Sequence, residues 1–442
     1  MPRKITIIGS GSHNFTNAVV RDILTFPALA DSHFVLMDIN AARMESSRQC
    51  VEKLIQAGHY PATVVTEPSQ ARALAGADAV ICTIRVDPIP VWRQDLEIPA
   101  KYNVSINVGD TRGPAGIFRA LRTLPHMMSI CADIEKYCPN AYLLNYTNPM
   151  TMLSKAMQSH SKVKATGICH SVQGTAEMLA RWIDTPISEI TYLCAGINHQ
   201  AWFLEFKKNG QDANPLIRQA ILERPEIYNA EIVRNEMFLH LDHYVTESSG
   251  HNSEYNPWFR KRPDLMDKYC NQGTSWNTGR HLFSIETITQ REATRDAKTQ
   301  EWLQSETVDL QRGKEYASAI LNAVLGDGTI YEFNGNVLNT GIIDNLPANC
   351  NVDVPTIASP RGIYPVHVGK LPPQLAIINN TNAMIEDLAV EGYFAGDPRM
   401  IYHAICHDPL TAAVLSLAEI KQMVDEMFTA NAEFLPTFRH LK

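Results

Sequence analysis

Lys4-Ile5-Thr6-Ile7-Ile8 runs directly into Gly9-Ser10-Gly11-Ser12, and an apolar-periodic stretch over 15–24 follows. The apolar run suits a strand buried on both faces, the glycines a tight turn, and the periodic stretch a helix packed back on the strand. Similar short apolar runs recur at 33–37, 62–65, 79–83, 142–145 and 165–168, with helical patterns such as 41–57 and 117–137 between them. That alternation predicts βαβ units and a Rossmann-like, doubly wound parallel sheet.

Beyond residue 197 the rhythm changes. Residues 201–207 read as a strand, 208–211 as its hairpin turn, and helical patterns over 231–241, 314–325, 373–389 and 417–434 dominate. At 442 residues the chain is too long for one ordinary domain. The shift divides it into 1–195, a dinucleotide-binding domain, and 196–442, a C-terminal α+β domain. Segment 244–280 is polar and aromatic without periodicity, which predicts an active-site loop region.

Bulk properties exclude several classes of function. A net charge of −8 argues against nucleic-acid binding, which needs clustered Lys and Arg. No apolar run approaches the roughly 18 residues that span a bilayer, and the N-terminus enters a strand with no signal-peptide pattern. The Cys count is 9, odd and without any Cys-x-x-Cys pair, so neither structural zinc nor a disulfide framework is expected. A reducing cytoplasm is the expected setting.

Gly9 and Gly11 let the chain turn tightly and let a pyrophosphate approach the backbone, with Ser12 opening the helix beneath it. Asn14 stands where the full fingerprint has its third glycine. Asp38 closes the second strand, where a carboxylate takes the ribose hydroxyls of NAD and repels a 2′-phosphate. Asp38 equally fits an N-cap for the helix that begins near residue 41. Thr83, ending the fourth strand, is a further candidate for the cofactor crevice.

Two other strand ends carry metal-binding residue types: Cys169 after 165–168, and His199 after Gly196-Ile197-Asn198. A thiolate and an imidazole meeting there suit Mn²⁺, Fe²⁺, Co²⁺ or Zn²⁺, with substrate or water filling the open positions. On spacing alone, a buried core thiol and a core histidine explain them as well.

Several motifs together resemble glycoside hydrolase family 4, the NAD- and divalent-metal-dependent glycosidases. They are Gly9-Ser10-Gly11-Ser12, Gly109-Asp110-Thr111-Arg112-Gly113-Pro114-Ala115-Gly116, Leu144-Asn145-Tyr146-Thr147-Asn148-Pro149-Met150, Cys169-His170-Ser171-Val172-Gln173-Gly174-Thr175, Ala195-Gly196-Ile197-Asn198-His199 and Thr246-Glu247-Ser248-Ser249. Ile343-Asp344-Asn345-Leu346-Pro347 and Asp408-Pro409-Leu410-Thr411-Ala412-Ala413-Val414 extend the likeness to the C-terminal region. Ala115 departs from the glycine usual in the family. The run Cys169-His170-Ser171-Val172 resembles the members acting on unphosphorylated α-galactosides, whereas Cys-Asp-Met-Pro and Cys-Asn-Val-Pro types act on phosphorylated glucosides.

The resemblance implies a two-domain, lactate dehydrogenase-like architecture, NAD and Mn²⁺ or another divalent metal as cofactors, and a sugar substrate. It also implies a homodimer or homotetramer. The implied reaction is redox-neutral: C3 is oxidised by NAD⁺, the C2 proton is removed, the C1 substituent is eliminated, water adds, and C3 is reduced again. Cys169 and His199 then hold the metal, His170 is the general acid, Asn148 binds the sugar, and Asp110 is an acidic residue near the metal. Tyr255 is the expected base at C2. Plainer roles remain open: Asp110 as an N-cap, His170 as a substrate-orienting residue, and Tyr255 as packing in an aromatic loop beside His251.

An α-galacturonidase or α-glucosidase of the same family is the alternative substrate reading, because elimination chemistry does not itself fix the sugar. An NAD-dependent 2-hydroxy acid dehydrogenase is the alternative of another class, with Arg85, Arg93 or Arg122 gripping a carboxylate. A regulator is disfavoured, since neither a helix-turn-helix nor a basic stripe is apparent.

Overall fold

A computed structural model describes residues 2–271 and 279–438. Of the segment 244–280 singled out above, 272–278 lie outside the described residues. The strands are β1 (Lys4–Ile8), β2 (His33–Met37), β3 (Thr63–Thr66), β4 (Ala79–Cys82), β5 (Tyr142–Asn145), β6 (Lys164–Ile168), β7 (Ile190–Ile197), β8 (Gln200–Lys208), β9 (Gln211–Asp212), β10 (Tyr331–Leu338), β11 (Asn351–Ser359) and β12 (Gly362–Pro365). Among the described residues they form one sheet in the order β3-β2-β1-β4-β5-β6-β10-β11-β7-β8-β9, with β12 on β11.

β3-β2-β1-β4-β5-β6 is wholly parallel. The strand order reverses direction beside β1, and the crevice past the ends of β1 and β4 is where such sheets bind ligands. The two-faced burial predicted for β1 has a simple basis. Ile5 and Ile7 point to Val19, Val20 and Ile23 of the helix His13–Leu24. Ile8, with Val80 and Cys82, belongs to the opposite core beside Phe118, Leu121 and Leu124 of the helix Gly113–Tyr137. Each such side chain contributes about 1.5–3 kcal/mol on burial. Thr6, between them, satisfies its hydroxyl on the carbonyl of Ala73 at 2.8 Å.

The C-terminal strands extend this same sheet with antiparallel pairs. β10 joins β6 through Asn336 opposite Gly167 and Gly335 opposite Ile168, and β11 then leads to β7. Residue 195 lies inside β7. β10, β11 and β12 were not expected from the sequence; the first two carry the buried Asn334, Asn336 and Asp353, which blur any apolar alternation.

Several helix ends differ from expectation in ways that bear on function. The helix expected over 117–137 begins at Gly113, with Arg112 at its N-cap, so Asp110 does not cap it. Asn40, not Asp38, caps the helix Ala41–Ala57, accepting from the Arg43 N–H at 3.0 Å. The helix expected over 314–325 starts only at Ala317, leaving Lys314, Glu315 and Tyr316 outside it. Segment 244–280 holds two short helices, Ser249–Tyr255 and Pro263–Tyr269, rather than loop alone. Among the described residues no helix is long and apolar enough to cross a membrane.

Candidate active site

The cofactor crevice takes its shape from backbone at the glycine turn. Gly9, at φ +85°, passes so close to β4 that a Cβ would lie 2.5 Å from the carbonyl oxygen of Thr83. Its N–H and that of Ser10 donate to the carbonyl of Met37 at 3.0 and 3.1 Å. The Gly11 N–H donates to Asp38 Oδ2 at 2.8 Å, and a Cβ on Gly11 would sit 2.8 Å from that same oxygen. Ser12 stands at the N-cap of the following helix without a side-chain cap, so the helix start is open to an anion. Gly9, Gly11, Ser12, Asp38 and Thr83 all line one cavity of about 680 Å³. A cradle that only glycine permits, beside a carboxylate and an uncapped helix start, fits a dinucleotide.

The polar helix Phe283–Gln304 roofs that cavity. Glu292 on it pairs with Arg43 at 2.8 Å and Arg85 at 3.3 Å. Arg85, offered above as a carboxylate grip, is thus committed to the roof. Arg122 is likewise spent in a buried network with Asp87 and Asp95.

The second cavity, about 700 Å³, is lined by side chains, among them Asp110, Asn148, Cys169, His170, His199 and Glu247. Cys169 follows β6 and precedes the helix Ser171–Trp182, whose N-terminus favours a thiolate. His199 sits at φ +60° in the two-residue link between β7 and β8, and Glu247 at φ +73°. Non-glycine residues held in that region cluster at functional sites, where surrounding structure maintains the strain.

Cys169 Sγ lies 3.3 Å from His199 Nε2, and Glu247 Oε2 lies 3.5 Å from the same nitrogen. The donor atoms of these three residues all fall within 4.8 Å of one another. Asp110, His199 and His251 form an overlapping group. Thr111 Oγ1 occupies the other face of the His199 ring, 3.0 Å from Nδ1.

Burial pushes the Cys169 thiol up to about 12, and the Glu247 charge adds to it. Burial lowers His199 to about 4 against the opposing pull of Glu247. A neutral imidazole, a carboxylate and a thiol that ionises only beside a cation form a donor set suited to a divalent transition metal, whose binding would release the thiol proton. Burial alone would lower His251, but Glu247 and Asp110 reverse this and raise it to about 9. For Asp110 burial works upward, yet the hydrogen bond and charge of His251, with His199 and Arg119, hold it far below the usual carboxylate range.

Asn148 Nδ2 reaches Asp110 Oδ2 at 3.5 Å, while its buried Oδ1 has no partner among the described residues. His170 stands on the cavity wall with Nε2 3.0 Å from Glu315. Tyr255 is 1% exposed, its Oη 3.5 Å from His199 Nδ1 and its ring 4.8 Å beneath the Arg112 guanidinium. Burial and Asp110 raise its phenol well above the ordinary value, with Arg112 opposing.

Glu247, Thr111 and Glu254 are contributors that sequence reasoning did not assign. Glu254 is a buried carboxylate accepting the N–H groups of Asn107, Val108 and Gly109 at 3.0, 3.0 and 2.9 Å, which fixes the turn that carries Asp110. The available signals are the Thr246-Glu247-Ser248-Ser249 motif for Glu247 and the motif over 109–116 for Thr111.

A model described as family 4 glycosyl hydrolase matches residues 4–185, and one for the C-terminal domain of those enzymes matches 194–411. The chain is 36% identical to an alpha-galactosidase of Bacillus subtilis (strain 168), over 99% of this chain and 100% of that one. It is 35% identical to an alpha-galactosidase of Rhizobium meliloti (strain 1021), over 99% of this chain and 90% of that one. Its fold matches that of a 6-phospho-alpha-glucosidase from gut microorganisms, solved in complex with NAD and Mn²⁺, with a TM-score of 0.81, 19% identity and 99% of each chain covered.

Proposed function

The chain belongs to glycosyl hydrolase family 4, and from that premise we propose that it hydrolyses unphosphorylated α-galactosides using NAD and a divalent metal. Full-length likeness to two alpha-galactosidases supports the sugar. The observation that carries the reading is that the two cavities meet. Ile288 lines both, so a dinucleotide against Gly9 and Asp38 and a sugar beside Cys169 share a wall. Residues 1–195 supply Gly9, Asp38 and Cys169, while 196–442 add the helix Phe283–Gln304 over the cofactor crevice and bring His199 and Glu247 to the sugar.

Bound along Gly9, Gly11, Ser12, Asp38 and Thr83, NAD would supply a reversible acceptor for the C3 hydride, and Mn²⁺ or a similar ion on Cys169, His199 and Glu247 would supply Lewis acidity. The chain's own residues do the rest. Asn148 offers its unpartnered Oδ1 to a sugar hydroxyl. Asp110 stays ionised between His251 and Asn148 and orients both. With a carbonyl at C3 the C2 hydrogen is acidic, and Tyr255, which lies behind the cavity wall, is the proposed base. It acts as the phenolate, a form that the Arg112 cation on its ring face and a metal held by the neighbouring His199 would favour over the buried phenol. His170 protonates the departing glycosidic oxygen. Nine free thiols suit a reducing cytoplasm, and a homodimer or homotetramer is the proposed assembly.

A panel of p-nitrophenyl glycosides with NAD⁺ and Mn²⁺ tests the substrate. The α-galactoside is expected to be cleaved fastest. Faster release from an α-galacturonide, an α-glucoside or a 6-phosphorylated sugar would overturn the assignment.

A further inference from the structure

We infer that Glu315 is the positioning residue of the His170 imidazole, fixing which ring nitrogen faces the sugar. The inference rests on the acid role proposed for His170. Glu315 Oε2 lies 3.0 Å from His170 Nε2 and also accepts the Tyr146 hydroxyl at 3.1 Å. The His170 ring is stacked on Tyr146, centroids 5.8 Å apart, and meets Tyr316 edge-on at 5.5 Å. With Nε2 committed to the carboxylate, Nδ1 is the nitrogen left for substrate.

Glu315 is itself held from behind. Its N–H and that of Gly313 donate to the buried Asp22 carboxylate at 2.9 and 2.8 Å, which ties the segment to the helix His13–Leu24 of the cofactor crevice. Its neighbours grip the same turn: Lys314 pairs with Glu177, and the Tyr316 hydroxyl donates to the carbonyl of Cys169 at 2.9 Å. Three consecutive residues therefore address the segment from Cys169 to Glu177. A carboxylate behind an imidazole sets its tautomer and orientation and stabilises the charged ring.

In the step served, the C1–O bond breaks and its electron pair goes to the glycosidic oxygen. That oxygen takes the Nδ1 proton of the His170 imidazolium, which keeps the N–H pair and is left as the neutral ring with its remaining proton on Nε2, facing Glu315. The pair left at C2 by loss of its proton closes the C1–C2 double bond.

The full-length protein with NAD⁺ and Mn²⁺ is compared with Glu315→Gln and His170→Asn on two α-galactosides, one p-nitrophenyl and one methyl. A poor leaving group needs the acid and an activated one hardly does. Glu315→Gln is expected to lower kcat/KM on the methyl glycoside up to about 100-fold, and on the nitrophenyl glycoside by less than about 3-fold. His170→Asn should show the same split. Equal losses on both substrates for Glu315→Gln, with the split kept in His170→Asn, would overturn the role of Glu315 alone. No split in either variant would remove the acid assignment. A second readout needs no catalysis: ¹⁵N NMR of the wild-type His170 ring should show a proton on Nε2, and a bare Nε2 would contradict the proposal whatever the variants do.

Discussion

The crevice past β1 and β4 depends at its glycine turn on main chain that carries no side chain, whereas the pocket past β6 depends on side chains drawn from segments as far apart as Asp110 and His251. In the first, Gly9 and Gly11 matter because they carry no Cβ, and the space they leave is the site. In the second, Cys169, His199 and Glu247 matter for single donor atoms, held by strained backbone at His199 and Glu247. One site is therefore broken by adding atoms and the other by removing them. Among the described residues the two linings share only Ile288, so failures in each can be measured separately while the reaction depends on both.

The largest effect expected from removal is at the metal donors. Cys169→Ser should lower metal-dependent hydrolysis by about 1000-fold or more, the several kcal/mol that a Lewis acid contributes. NAD affinity, read by fluorescence titration, should stay near wild type. Loss of NAD binding in this variant would mean that the two sites are not separable.

Addition at the other site should give the converse. Gly9→Ala places a methyl group 2.5 Å from the Thr83 carbonyl oxygen at φ +85°. A strain of about 1–3 kcal/mol predicts roughly 10- to 100-fold weaker NAD binding. Mn²⁺ binding, followed by electron paramagnetic resonance, should be retained. Unchanged NAD affinity would mean that the cradle is not where the cofactor lies.

The smallest expected effect concerns the support behind the metal pocket. Burial raises Asp353 to about 6, against the hydrogen bond from Asn334 and the nearby amides of Asn198, which neighbours His199, and Asn336. The folded state thus holds a proton there that the unfolded chain loses near pH 3.9. The stability this group contributes is full below that pH and is lost as pH rises through about 6. Asp353→Asn should abolish that portion of the pH slope, seen as a change of a few degrees in Tm between pH 4 and 6 relative to wild type. Parallel curves for the two proteins would contradict the shift.

The same contrast decides what could be read from the sequence. β1, the glycine turn and Asp38 announce themselves because a two-sided apolar strand and a Cβ-free turn each leave a compositional mark. The metal pocket leaves almost none. Cys169 and His199 were assigned through resemblance, since spacing alone fits core residues equally well. The helix Ser249–Tyr255 escaped notice because every residue in it is buried, so its polar side chains have no solvent face to create a period. Glu247 owes its position to a left-handed backbone that no pattern encodes. The late start of the helix at Ala317 hid Glu315, whose apparent place in an apolar-periodic run concealed its bond to His170.

The central claim is that cleavage passes through loss of the C2 hydrogen and leaves no net oxidation. p-Nitrophenyl α-galactoside hydrolysed in deuterated water, with NAD⁺ and Mn²⁺ supplied together and each withheld, tests it directly. The account predicts cleavage only when both are present, one deuterium at C2 of the released galactose, and no accumulating NADH. Cleavage that needs neither cofactor and leaves protium at C2 would contradict it.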